Sequence, residues 1–131
     1  MKQIQANADK MAICFSSLCI IHCLLLPIAL IVIPTASIQF LADEVFHQAL
    51  VVVVLLTSVS ALFMGCKLHK NWKVMYYAVA GLLVLIFASI FGHDVLGEWA
   101  EKLLTVIGSL CVIYGHIQNY RLCKTARCDH T

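Results

Sequence analysis

Long apolar stretches alternate with short polar ones along this chain. Residues 1–10 are polar and include Lys2 and Lys10, and an apolar run then extends from Met11 to Ile33, closed by Pro34. The polar segment from Thr35 ends on Asp43 and Glu44, and a second apolar run covers Val45 to Cys66. Lys67, Lys70 and Lys73 separate it from a third run, Val74 to Gly92. The segment from His93 to Glu101 carries Asp94, Glu98 and Glu101, and a fourth run begins at Lys102. About 20 apolar residues suffice to cross a bilayer as a helix. The valine-rich stretch Val51 to Leu56 would suit a strand in water, but in lipid a helix closes its own hydrogen bonds. The pattern predicts an all-α membrane protein, a compact bundle of four transmembrane helices in one domain. The spans are expected near 11–33, 45–66, 74–92 and 102–118, with 119–131 as a tail.

Within the runs, small residues recur at helical spacing. Val54, Ser58, Ala61 and Gly65 share one stripe of the second, which His47 extends outward. Ala78, Gly81, Leu85, Ala88 and Gly92 share one of the third, and Gly108, Cys111 and Gly115 one of the fourth. Small residues let helices approach where lipid supplies no hydrophobic drive between them, so these stripes are expected to face inward.

Composition agrees with lipid as the solvent. The 131 residues are 62% hydrophobic and 12% charged, against about a quarter charged in soluble domains. The net charge of +2 matters less than its distribution. Eight of the nine Lys and Arg residues lie in the N-terminal segment, the second loop and the tail, with Lys102 alone on the other side. The positive-inside rule then places both termini in the cytoplasm. Trp72, Tyr76 and Tyr77 suit the inner aromatic belt and Trp99 the outer one. The basic residues are juxtamembrane topology signals, so nucleic acid is excluded as a partner. The first run is too long for a signal core and lacks a small-residue cleavage site.

Seven cysteines are scattered as thiols rather than as a disulfide framework. Cys19, His22 and Cys23 stand at i, i+3 and i+4, on one helical face, with Ser16 a turn earlier. Cys14 points away from them and is expected to pack. Ionisable groups at membrane depth are functional candidates by default, and thiolates with imidazole suit soft or borderline metals. Pro27 removes the hydrogen bond to the Cys23 carbonyl and is expected to kink the helix there. Against this stands plain packing, since free cysteine is among the most buried residues. Three candidate ligands, Cys, His and Cys, on one face beside a proline favour the ligand reading. Asp43, Glu44 and His47, with His93 and Asp94, offer an outer capture site, balanced by a bland reading as loop charge. Cys66 and His69 are expected to pack at the second span's end, and His116 to meet headgroups. Cys123 and Cys128 lie near Arg121, Lys124 and Arg127, whose charge favours thiolate, and His130 stands beside them.

The segment Asp9-Lys10, then Ser17-Leu18-Cys19 and His22-Cys23, resembles the first span of the MerC family, and Cys123 to Cys128 resembles that family's cytoplasmic cysteine pair. The likeness covers nearly the whole chain. It implies an inner-membrane, multi-pass bacterial protein that receives Hg(II) at the first-span pair and passes it inward. Mercury-resistance members typically separate those cysteines by two residues; here three intervene, one of them His22, which resembles a broader branch, the MerC domain-containing proteins. The expected metal set is therefore Cys19, His22, Cys23, Cys123, Cys128, His47 and His93. The expected cargo is a soft ion, Hg(II) before Zn, Cu or Fe, with no required cofactor. The expected partners are the ion, membrane lipid, a cytoplasmic thiol acceptor and a second copy of the chain. No ATP-binding loop is present, and an enzyme is not expected. A small thiol oxidoreductase would need a Cys-x-x-Cys pair, which is lacking; a haem-, zinc- or iron-binding subunit using His22, His47 or His93 is the remaining alternative.

Overall fold

The computed structural model describes residues 2–33, 39, 41, 43–69, 72–91, 95 and 97–125. Among the described residues four long helices run in chain order: α1, Lys2–Val32; α2, Glu44–His69; α3, Trp72–Phe91; and α4, Glu98–Thr125. Each is long and apolar enough to cross a membrane. The chain is a four-helix, multi-pass membrane bundle. Outward faces are apolar: Leu24, Ile28, Leu56, Phe63, Leu83 and Leu103 are all exposed, as side chains meeting lipid should be. Trp72 and Tyr76 are exposed at one end and Trp99 at the other, the positions of aromatic belts. The end holding the start of α1 and the finish of α4 is called the terminal end below, and its opposite the far end.

Helix starts are set locally. The Asp43 carboxylate accepts from the Val45 amide at 3.0 Å, and the Asp43 carbonyl from the amides of Phe46 and His47, so Asp43 is the N-cap of α2. Gly97 has φ +82°, and its carbonyl accepts from the Glu101 amide; only glycine adopts that conformation without strain. Glu44 at the start of α2, and Glu98 with Glu101 at the start of α4, complement the positive ends of the helix dipoles. Both starts lie at the far end.

The closest pairing is α3 with α4, followed by α1 with α4 and α1 with α2; α2 also touches α3 and α4, whereas α1 and α3 stand apart among the described residues. Glycine makes the α3–α4 approach possible. A Cβ on Gly81 would lie 2.7 Å from the Gly108 carbonyl oxygen, and one on Gly115 2.7 Å from the Ala78 Cβ. The expected stripes are inward-facing: Val54, Ser58, Ala61, Gly65, Ala78, Gly81, Leu85, Ala88, Gly108 and Gly115 are buried, and Cys111 is half-buried. Gly92 lies outside the described residues.

Two boundaries differ from expectation. α1 begins nine residues before the apolar run, and α4 continues through Thr125. The first residues of α1 and the last turns of α4 hold polar groups that satisfy one another across the interface, so the helices outlast the apolar stretches. α1 also runs through Pro27 without a break.

A candidate metal site at the far end of the bundle

Three helices build the site. α1 turns Cys19 and Cys23 into the bundle, where both are buried. Cys19 sits in the apolar core with Val51, Val54 and Val112. Cys23, one turn further along, lies at the floor of a pocket of about 550 Å³ lined by His22, Pro27, Glu44, His47, Glu98, Glu101 and Lys102. His47 is the fourth residue of α2 and Glu101 the fourth of α4. The site therefore lies one turn inside the far ends of α2 and α4, rather than at mid-bilayer as the centre of the first apolar run suggests.

The His47 Nδ1–H donates to Glu101 Oε1 at 3.0 Å. A carboxylate only accepts, so the Nδ1 proton is fixed and Nε2 is left as the lone-pair nitrogen. That nitrogen faces Cys23 Sγ at 3.9 Å, with the thiol as donor. A carboxylate behind an imidazole whose other nitrogen is free is the arrangement that orients metal-ligating histidines. The Thr105 hydroxyl, one turn from Glu101 on α4, is buried and has no hydrogen-bond partner. His22 is half-buried at the rim. Its Nε2–H donates to the Leu41 carbonyl at 2.7 Å, its ring stacks on that of His47 with centroids 6.2 Å apart, and its Nδ1 is buried without a partner. Lys102 pairs with Glu98 and lies over the Trp99 ring.

Of the expected ligands, Cys23 and His47 are in contact, Cys19 lies one turn deeper, and His22 flanks them. Among the described residues no three His, Cys, Asp or Glu side chains converge tightly enough to hold an ion together. The arrangement offers two-point capture rather than a closed cage. His93 and Cys128 lie outside the described residues, as do Asp94, His130 and the side chains of Cys66 and His69. Cys14 does point away from the cluster, but it is exposed on the outer face instead of packed.

Cys123 does not lie on a free tail: it is 1% exposed on the last turns of α4, with its thiol 4.0 Å from the Gly65 carbonyl. His116 also differs from expectation. It does not meet headgroups but is fully buried, and its Nδ1–H donates to Asp9 Oδ1 at 2.8 Å. Asn119 Nδ2 reaches both Asp9 oxygens at 2.9 and 3.0 Å, and Gln5 donates to the same carboxylate. The sequence did carry a signal for Glu101 and for this network. Glu101, Thr105, Ser109, His116, Asn119 and Cys123 fall on one stripe of α4, and polar stripes on a transmembrane helix face the bundle interior.

Against known families, the chain matches the MerC mercury resistance proteins over residues 9–121. The chain belongs to the MerC family. The match takes in Asp9, the Cys19–Cys23 segment, His47, Glu101 and His116, and stops two residues short of Cys123. No curated protein and no solved structure matches the chain. Family and fold together make it a mercury-resistance membrane protein of the MerC type.

Proposed function

We propose that this MerC protein takes up a soft metal ion, Hg(II) foremost, through the bacterial inner membrane with both termini in the cytoplasm. Cys23 and His47 capture the ion from the far-end pocket, and Cys19 receives it one turn deeper. The observation that carries this reading is the Cys23 thiol 3.9 Å from His47 Nε2, with Glu101 holding the other ring nitrogen. Glu44, Glu98 and Glu101 around the pocket mouth attract a cation to it. Two thiolates cancel the charge of a divalent ion, which makes a bound ion far cheaper to hold in lipid than a free one. His22 Nδ1, buried and unpartnered, supplies a further donor at the rim. The ion is cargo, and no catalytic step is assigned to the protein. Delivery to Cys123, with Cys128 and a cytoplasmic thiol acceptor beyond it, completes the inward route.

Equilibrium binding of Hg(II) to the purified protein, in competition with a soluble dithiol, tests this. Cys23→Ser and His47→Ala should each weaken binding at least tenfold, and Cys19→Ser with Cys23→Ser should abolish the tight site. Unchanged binding in that double variant rejects the reading.

A further inference from the structure

The polar groups of the bundle do not stop at the pocket. They continue along the seam where α1, α2 and α4 meet, down to the buried Asp9–His116 pair at the terminal end. That pair fixes the antiparallel register of α1 against α4. Seven residues from it on each helix lead to Ser16 and Ser109, and seven more to Cys23 and Lys102, next to Glu101. From α2, Ser58 faces the same seam, seven residues from Gly65 and eleven from His47. Ser16, Ser58 and Ser109 are all fully buried, and none of their hydroxyls has a hydrogen-bond partner. His116 Nε2 and Gln5 Oε1 are likewise buried and unpartnered.

The serines on other faces behave differently. Ser17 bonds to the Ile13 carbonyl and Ser60 to the Leu56 carbonyl, each at 2.8 Å, and Thr57 bonds back to Val53 in the same way. That is how a hydroxyl facing lipid satisfies itself. The seam serines forgo this local bond and turn their hydroxyls into the interior. Buried polar groups left by the protein are met by water, and the unpartnered hydroxyls of Thr105, of Ser16 and Ser109 at one shared level, and of Ser58, together with His116 Nε2, define a row of water positions.

We propose that the α1–α2–α4 seam holds a file of water molecules from the far-end pocket to His116, and that protons cross the bundle along it. Each hydroxyl accepts a hydrogen bond from one water and donates to the next. At the end of the file His116 Nε2 takes up a proton, making an imidazolium opposite the Asp9 carboxylate. It returns to neutral imidazole when that proton leaves for water at the terminal end, so only N–H and O–H bonds change. The file spans about 21 Å, fourteen residues of helix rise between Asp9 and Cys23. The titratable groups facing the seam among the described residues are Asp9, Cys19 and Cys23 from α1, His47 from α2, and Glu101, His116 and Cys123 from α4. The buried face of α3, with Val74, Ala78, Gly81, Leu82, Leu85 and Ala88, adds none.

Proton flux is measured in proteoliposomes loaded with a pH-sensitive dye, under an imposed potassium diffusion potential and with no mercuric ion present. Wild-type protein should carry protons at least tenfold faster than empty liposomes. Ser58→Val with Ser109→Val should return the rate to that of empty liposomes, and Ser60→Val, on the lipid face, should leave it unchanged. Wild-type flux equal to the empty-liposome rate, or full flux in the double valine variant, overturns the proposal. Radiolytic hydroxyl-radical labelling of the wild type gives a reading that needs no variant to fold. Val112 and His116, beside the file, should be oxidised, while the equally buried Leu85 on α3 should not. Absence of label at both seam residues overturns the proposal as well.

Discussion

A carboxylate behind an imidazole decides which ring nitrogen stays free, and this protein uses the device twice: Glu101 behind His47 and Asp9 behind His116. At the far end the free nitrogen meets a thiol. Replacing Glu101 by Gln keeps the shape but removes the charge, and an amide can present its NH2 where the oxygen stood. Loss of such an outer partner typically lowers metal affinity about 10- to 100-fold. Glu101→Gln should weaken Hg(II) binding by that factor in a dithiol competition. At the terminal end, Asp9 accepts from His116, Asn119 and Gln5 inside a fully buried network. Asp9→Ala strands all three donors, and breaking a buried charged cluster costs about 3–5 kcal/mol. Its unfolding temperature in detergent should fall well below that of wild type. The thiol–imidazole spacing on α1 was legible in the sequence because three and four residues make one helical turn. The His116 partnership was not, because Asp9 lies 107 residues away and helical periodicity says nothing about which helices meet.

Helix α4 organises the others: α1, α2 and α3 all pack on it. Its glycines face α3, while its polar stripe, Glu101 to Cys123, faces α1 and α2. The glycine face was visible as a repeat of small residues. The polar stripe was obscured because Gln118, Arg121 and Lys124 sit among its last residues and made the final turns look like a tail. Cys123 was misplaced for that reason. The α3–α4 contact admits no side chain at Gly81, since its Cβ would stand 2.7 Å from a backbone carbonyl oxygen. Overpacking of this kind typically costs about 1–3 kcal/mol. Gly81→Val should lower the unfolding temperature, whereas Gly97→Asn, in open space and strained only through its φ of +82°, should lower it by less.

For the whole molecule, hydropathy and lysine distribution set the architecture. Four apolar runs became four helices, and lipid-facing residues became the exposed ones. The depth of the metal site was less legible. The centre of the first run suggested mid-bilayer, but α1 overshoots its neighbours, so Cys23 lies level with the first turns of α2 and α4. The lysine distribution predicts the orientation: green fluorescent protein fused after Thr131 should fluoresce in cells, and alkaline phosphatase fused at the same point should be inactive. An active phosphatase fusion would invert the assignment and turn the far-end pocket toward the cytoplasm.

The capture of a soft ion by thiols at the far end is most directly tested by mercury X-ray absorption of the purified protein loaded with one equivalent of Hg(II). The account predicts sulfur neighbours in the wild type that disappear when Cys19 and Cys23 are both replaced by serine with the other cysteines left in place. An unchanged sulfur shell in that variant would contradict it.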